Sequence, residues 1–335
     1  MAETSPAMGK YEKRASEAGR GRNAETPGQI PAKGWLDIFW RIYASIMEDR
    51  ILLIAAGATF YLLLALFPAL TAFVSVYGLV ADPSTVADQI AYLGGMLPQG
   101  SLDLIRTQLQ SLASSETSSL SLSFLFGLAI ALWSANNGVK TLFEAMNVAY
   151  RQNESRSFIW LNVMSFMFTL GAIVIGILMI VMVGVVPAMF ALLHLDTWSE
   201  TIVRIARWPL IFLFVGAGIT LIYRFGPDRQ PAKLPWLTWG AGVATVVWLI
   251  TSILFSWYLE NFADYNATYG TLGAMIGFMT WTWISSIILI IGAEINGEME
   301  HQTVVDTTTG KSKPIGDRGA VMADTVGVSA KEEAK

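Results

Sequence analysis

Long apolar stretches alternate with short polar ones along this chain, and within the long stretches no face is left polar. A helix that crosses the ~30 Å hydrocarbon core of a bilayer needs about 20 mostly apolar residues. Six stretches meet or approach that length: Ile51 to Val80, Ser121 to Thr141, Phe158 to Met189, Trp208 to Phe225, Leu237 to Leu259, and Leu272 to Glu294. Pro68 sits inside the first, where it lacks a backbone donor and crowds the carbonyl of Leu64, so a kink or break is expected and Pro68 is a candidate hinge. The third stretch is long enough to tilt, or to leave the membrane near Pro187 and continue along its outer surface.

The polar regions carry patterns of their own. Trp35, Ile38, Phe39, Ile42 and Ile46 recur at helical spacing with Asp37, Arg41 and Glu48 on other faces, which predicts an interfacial helix over residues 35–49. Between the first two spans, Val86, Ile90, Leu93 and Leu97 form one helical series and Leu102, Ile105, Leu109 and Leu112 another. Residues 81–120 therefore read as an amphipathic helical pair packed on the spans, with a partner-docking face as the alternative. Residues 1–34 and 303–335 show no apolar periodicity and read as disordered tails. The expected fold is thus all-α: a polytopic membrane protein with six transmembrane helices over residues 50–302 and an extra amphipathic pair in the first external loop.

Composition agrees with this class. The chain has 335 residues, 53% hydrophobic and 14% charged, and its mean hydropathy of +0.49 is too high for a soluble domain of this size. Charge distribution then gives orientation. With both ends cytoplasmic, 19 of the 22 Lys and Arg residues fall on the inner side, as the positive-inside rule requires. Trp160, Trp208, Trp236 and Trp257 lie near span ends, where an aromatic belt belongs. The first apolar run follows a long polar stretch without a small-residue cleavage pattern, so it is expected to be an uncleaved span. A net charge of -4 gives no general attraction to nucleic acid.

Candidate chemistry gathers at the inner ends of three spans. Asn136, Lys140 and Glu144 are four apart and Asn147 follows three later, so they form one helical stripe beside Asn137, and Lys140 can pair with Glu144. Arg224 ends the fourth span, and Glu294 with Asn296 ends the sixth. Two readings fit these eight residues. They line a polar pathway open to the cytoplasm, or the cations snorkel to headgroups while the asparagines bond between helices. Gly270, Gly273 and Gly277 favour close helix packing; Glu260 with Asp264 in an outer connection is weak evidence for a cation site, since calcium needs about six or more oxygen ligands.

No enzyme signature accompanies them. Cysteine is absent, and His194 and His301 are the only two histidines, on opposite sides, so no zinc cluster and no cysteine nucleophile are available. Neither a phosphate-cradling GxxxxGK nor a nucleophile elbow occurs. Catalytic, cofactor-binding and metal-binding residues are therefore expected to be none.

Four stretches carry a resemblance: "GATFYLLLALFPALTAFVSVYGLVADP", "ALWSANNGVKTLFEAMNVAYR", "RFGPDR" and "ATYGTLGAMIGFMTWTWISSIILIIGAEINGEMEHQT". Together they resemble the YihY/BrkB family of bacterial inner-membrane proteins, over roughly Trp35 to Thr303. The resemblance implies a six-helix inner-membrane protein. Members have carried the labels "virulence factor" and "ribonuclease BN", but hydrolysing RNA through metal-activated water needs clustered His and Asp ligands that the soluble parts lack. Movement of envelope lipids or solutes is suggested for some relatives, and the resemblance transfers no family-wide site beyond the residues quoted. The expected partners are accordingly membrane lipids and a lipid or small-solute substrate; the alternative is a membrane scaffold that binds an envelope partner and transports nothing.

Overall fold

The computed structural model describes residues 14–80, 117–180, 197–261 and 272–330. They are helical apart from connecting segments: α1 (Ala32–Glu48), α2 (Ile51–Val80), α3 (Thr117–Ala149), α4 (Phe158–Ile180), α5 (Thr197–Phe225), α6 (Leu234–Asn261), α7 (Gly273–Glu300) and a single turn, α8 (Val321–Asp324). Five of these helices contain stretches long and apolar enough to cross a membrane: Ile51–Ala69, Phe158–Leu178, Trp208–Phe225, Leu234–Leu259 and Met275–Glu300. Helix α3 contains the expected second span and continues through Asn136, Lys140, Glu144 and Asn147 without a break. The chain is therefore an all-α, multi-pass membrane protein.

Apolar and polar residues are distributed inside out. Leu125, Phe126, Ile159, Met167, Leu213 and Ile253 are each more than half exposed, while Ala, Ser and Thr fill much of the buried space, including Ala145, Ala244, Ala293, Ser165 and Thr245. Lipid tails are as apolar as leucine, so nothing drives large aliphatic residues inward and small ones allow backbones to approach. Buried hydroxyls find acceptors within their own helices. Thr169 donates to the carbonyl of Ser165 at 2.9 Å and Thr245 to that of Ala241 at 2.6 Å. In hydrocarbon no water could serve in that role. Pro68 and Pro209 lie inside α2 and α5, and both helices run through them; the break considered at Pro68 does not occur.

Contacts divide the chain into two compact units. The smaller comprises Ala56–Val139 and Thr251–Ser285. There α2 and α3 approach at Gly138, where an added Cβ would stand 3.3 Å from Leu62 Cγ. Trp281 of α7 donates to Ser252 of α6 at 3.3 Å.

The larger unit comprises Met1–Ala55, Lys140–Ile250 and Ser286–Lys335. Helices α6 and α7 meet backbone to backbone. A Cβ on Gly240 would sit 2.2 Å from the carbonyl oxygen of Gly292, and one on Gly292 would sit 2.2 Å from the Tyr223 hydroxyl. That hydroxyl donates to the carbonyl of Leu289 at 2.7 Å, which brings α5 to the same crossing.

Helix α1 lies where the periodicity predicted it, and it is inverted. Asp37, Arg41 and Ser45 are buried, whereas Leu36, Phe39, Trp40, Tyr43 and Met47 face outward, Met47 at 74% exposure. Phe39, Trp40 and Tyr43 stack edge to face in succession.

Within the disordered tails expected at 1–34 and 303–335, the structure corrects the expectation for residues 14–34 and 303–330, while 1–13 and 331–335 lie outside the described residues. Residues 14–31 and 303–330 are ordered and interlaced: Val304 N–H donates to Arg22 carbonyl at 2.8 Å, and Thr303 hydroxyl to that of Ala24 at 2.8 Å. The second segment also binds the α5–α6 connection, through Lys233 N–H to Thr307 carbonyl at 2.8 Å and Thr309 N–H to Pro231 carbonyl at 2.9 Å. Gly310, Gly316 and Gly319 adopt positive φ and turn the chain back on itself. Main-chain pairing of this kind needs no apolar stripe, which is why hydropathy did not reveal it.

The helical pair expected across 81–120 lies outside the described residues except for 117–120, which begin α3. The third span's stretch from 181 to Met189, His194, and the connection through Asp264 and Gly270 also fall outside them.

Candidate functional site

The last two turns of α7 and the residues just beyond read "EINGEMEHQ", Glu294 to Gln302. Glu294, Asn296, Glu298, Glu300 and Gln302 are each no more than 1% exposed. Burial on every side of one helix is possible because α1, the α3–α4 and α5–α6 connections and the terminal segments all pack around it.

Two arginines hold two of the acids. Arg41 of α1 pairs with the Glu298 carboxylate, donates to the Glu298 carbonyl at 3.1 Å and to Gln302 Oε1 at 2.8 Å, and reaches the carbonyl of Val328 at 2.8 Å. Arg229, from the α5–α6 connection, binds both oxygens of Glu300 at 3.0 and 2.6 Å and lies over the Tyr150 ring at 4.8 Å. Thr307 donates to the same carboxylate at 2.7 Å. Burial alone would lower the Arg229 pKa, but the charge and hydrogen bonds of Glu300 outweigh it and hold the guanidinium above its ordinary value. Asp37 completes the layer: it accepts from Arg20 at 2.5 and 2.6 Å and from the Ala330 N–H at 2.9 Å.

A second group of charges has a different balance. His301 Nδ1 stands 3.4 Å from Glu298 Oε2, and Arg151 stands 3.9 Å from Glu298 Oε1. Burial pushes the His301 pKa below its usual value despite that carboxylate. Glu294, one turn earlier, is 1% exposed, and its Oε1 has no hydrogen-bond partner among the described residues. Among the described residues its carboxyl interacts with another acid, Asp49, at the link between α1 and α2. Burial raises the Asp49 pKa, with Arg151 opposing.

The eight residues expected to line a pathway do not share one environment. Asn147 is buried; it donates to Glu154 at 2.8 Å and accepts from the Asp228 N–H at 2.7 Å, tying the α3–α4 connection to the α5–α6 connection. Asn296 accepts from the Gly240 N–H at 2.8 Å and donates to the Leu237 carbonyl at 3.1 Å, bracing the α6–α7 crossing. Lys140 donates to Asn162 of α4 at 3.0 Å. Glu144 is exposed, and among the described residues it forms no ion pair with Lys140. Asn136 and Asn137 belong to the smaller unit, where Asn136 is buried. Arg224 is half-buried over the Phe225 ring at 5.7 Å, with a long 3.4 Å bond to the Ala232 carbonyl. Arg41, Glu298, Arg229 and Glu300 were not among the eight. Three acids and an asparagine at alternate positions, Glu294, Asn296, Glu298 and Glu300, were the available signal.

A groove of about 460 Å³ runs between α4 and α5, which lie antiparallel. Trp160, Met164, Ile175 and Phe225 wall it, and Gly171 and Gly218 leave it open. Arg156 lies at its end; it donates to the carbonyls of Phe225 and Gly226 at 3.2 and 2.8 Å and pairs with Glu154 at 2.6 Å.

Among the described residues no group of three or more His, Asp or Glu side chains is placed to hold a metal ion. No solved structure matches the chain. The Bacillus subtilis (strain 168) protein YfkH, whose name calls it ribonuclease-like, is 30% identical over 250 residues, 72% of this chain and 87% of that one. A UPF0761 membrane protein of Idiomarina loihiensis is 29% identical over 196 residues, 56% of this chain and 63% of its own. Another, from Haemophilus influenzae, is 22% identical over 275 residues, 81% of this chain and 97% of its own. The family described as Virulence factor BrkB matches residues 42–315, which hold the α7 acids, Arg229 and the groove and begin one residue after Arg41. The chain belongs to this YihY/BrkB family of membrane proteins.

Proposed function

We propose that this inner-membrane protein moves an envelope lipid, or a small solute, between the faces of the bilayer. In this reading α3 is a sixth crossing, both termini are cytoplasmic, and α1 lies in the inner interface with its aromatic face among the lipids. The α4–α5 groove is the observation that carries it. Trp160 to Ile175 spans fifteen helical rises, about 22 Å, longer than the ~15 Å of one hydrocarbon leaflet, so it accommodates an acyl chain. Arg224, over the ring of the wall residue Phe225 at 5.7 Å, suits the phosphate of a headgroup, since among the described residues its hydrogen bond is a long one, from Nη1 to the Ala232 carbonyl at 3.4 Å. Arg156 is largely satisfied by Glu154 and main-chain carbonyls and shapes the groove's end.

Reconstitution into liposomes with a fluorescent phospholipid tests this. The expected result is exchange of the lipid between leaflets, reduced by Gly171→Leu, which fills the groove, and by Arg224→Gln. Inert vesicles, with a protein partner that co-purifies, would replace this reading with that of a membrane scaffold.

A further inference from the structure

We propose that Asp49 and Glu294 form one proton-binding site, a carboxyl pair that takes up and releases a single proton through Asp49. The ligand follows from what the two groups lack. An ionised carboxylate only accepts hydrogen bonds, so two of them in contact have no donor between them. A proton supplies that donor and removes one of two like charges that cannot both persist in an enclosed place. A metal ion would need more ligands than two carboxylates, and the described residues supply no such group.

The surroundings leave the pair without a cation of its own. From α1 it is faced by Glu48, from the α3–α4 connection by Arg151, and from α7 by Glu298, beyond which stand Arg41 and His301. Arg41 is committed to Glu298, and Arg151 approaches Glu298 as well at 3.9 Å while remaining 47% exposed. Glu298 thus takes the positive charge, and Glu294 Oε1 stays enclosed and unpartnered. Asp49 differs from Glu294 in being only partly buried, with its carboxyl raised by that burial. The proton therefore passes from water to Asp49 and is shared with Glu294; on release it returns to water, and no other bond is made or broken. The site stands whatever the chain carries. If the chain moves a lipid or solute, this proton is the ion available to couple to that movement.

The test uses the purified full chain in lipid nanodiscs. Infrared difference spectra between about pH 5 and about pH 8 should contain a protonated-carboxyl band that disappears in both Glu294→Gln and Asp49→Asn. Glutamine reproduces the shape of the protonated acid, so E294Q should unfold at the wild-type temperature or higher toward the alkaline end of the range, where release of the shared proton is favoured. The difference in unfolding temperature between wild type and E294Q should change by a few degrees across that range, and contributions from His301 cancel in it. An unchanged infrared band in both variants would overturn the proposal. So would an E294Q protein destabilised equally at every pH, since that result means Glu294 works as a fixed anion. Lipid exchange in liposomes is read separately, so loss of one reading leaves the other measurable.

Discussion

Helices α4 and α5 and the end of α7 solve opposite problems within one unit. Along α4 the outward residues Ile159, Met167 and Val174 are apolar, the inward ones Ser165 and Thr169 are small and polar, and the hydroxyl of Thr169 bonds inside its own helix. Around the end of α7, acids and arginines are buried together and satisfied by segments far away in the chain, as with Arg41 and Glu298, separated by 257 residues. The first region tolerates changes because each helix satisfies itself. The second depends on partners, because a buried charge that loses its counter-ion keeps the whole cost of leaving water.

The largest effect should come from removing one side of a buried pair. Arg41→Met leaves Glu298 enclosed without its guanidinium and should cost about 3–5 kcal/mol, read as a lower unfolding temperature and lower protein yield. The double variant Arg41→Met with Glu298→Gln should recover much of that loss. If it recovers nothing, the packing of Arg41 matters more than its charge. Next comes the crossing of α6 and α7. Gly292→Ala forces a methyl against the Tyr223 hydroxyl and should cost about 1–3 kcal/mol, whereas Gly171→Ala, where an added Cβ meets nothing within 4 Å, should leave unfolding unchanged. Asn296→Leu removes two bonds to the α6 backbone and should cost about 1–3 kcal/mol in the same assay.

A smaller effect separates the regions by pH. His301 is buried with a lowered pKa, so it binds a proton more readily unfolded than folded. Its contribution to stability is present above its unfolded value of about 6.5 and is lost as pH falls toward the folded one. His301→Asn should flatten that part of the unfolding profile. Substitutions confined to the lipid-facing side of α4, such as Ile159→Leu, should show no pH dependence. If His301→Asn leaves the acid limb of the profile unchanged, the histidine is not the group that charges there.

The apolar helices were legible because bilayer thickness sets their length and hydropathy reports it directly. Their ends were less so. Helix α3 outruns its apolar core in both directions because a helix, once begun, continues wherever neighbours pack against it. Glu294 and Asn296 could be picked out as polar groups at the end of an apolar run, but not their different uses. Sequence spacing cannot show that Asn296 lies against Gly240, or that Glu294 faces Asp49. The ordered terminal segments were illegible for a related reason: residues 303–330 are held by backbone pairing and by Arg318, which donates to three main-chain carbonyls and a fourth through Nε, and such ties leave no periodic trace.

The clasp between the two ends has a consequence for biosynthesis. Arg41 leaves the ribosome 257 residues before Glu298 and 287 residues before Val328, which enclose it. Until then α1 carries an unmatched guanidinium on one face and bare aromatic rings on the other. A chain halted before α7 would keep that pairing of features, a bare cation and bare rings on one short helix.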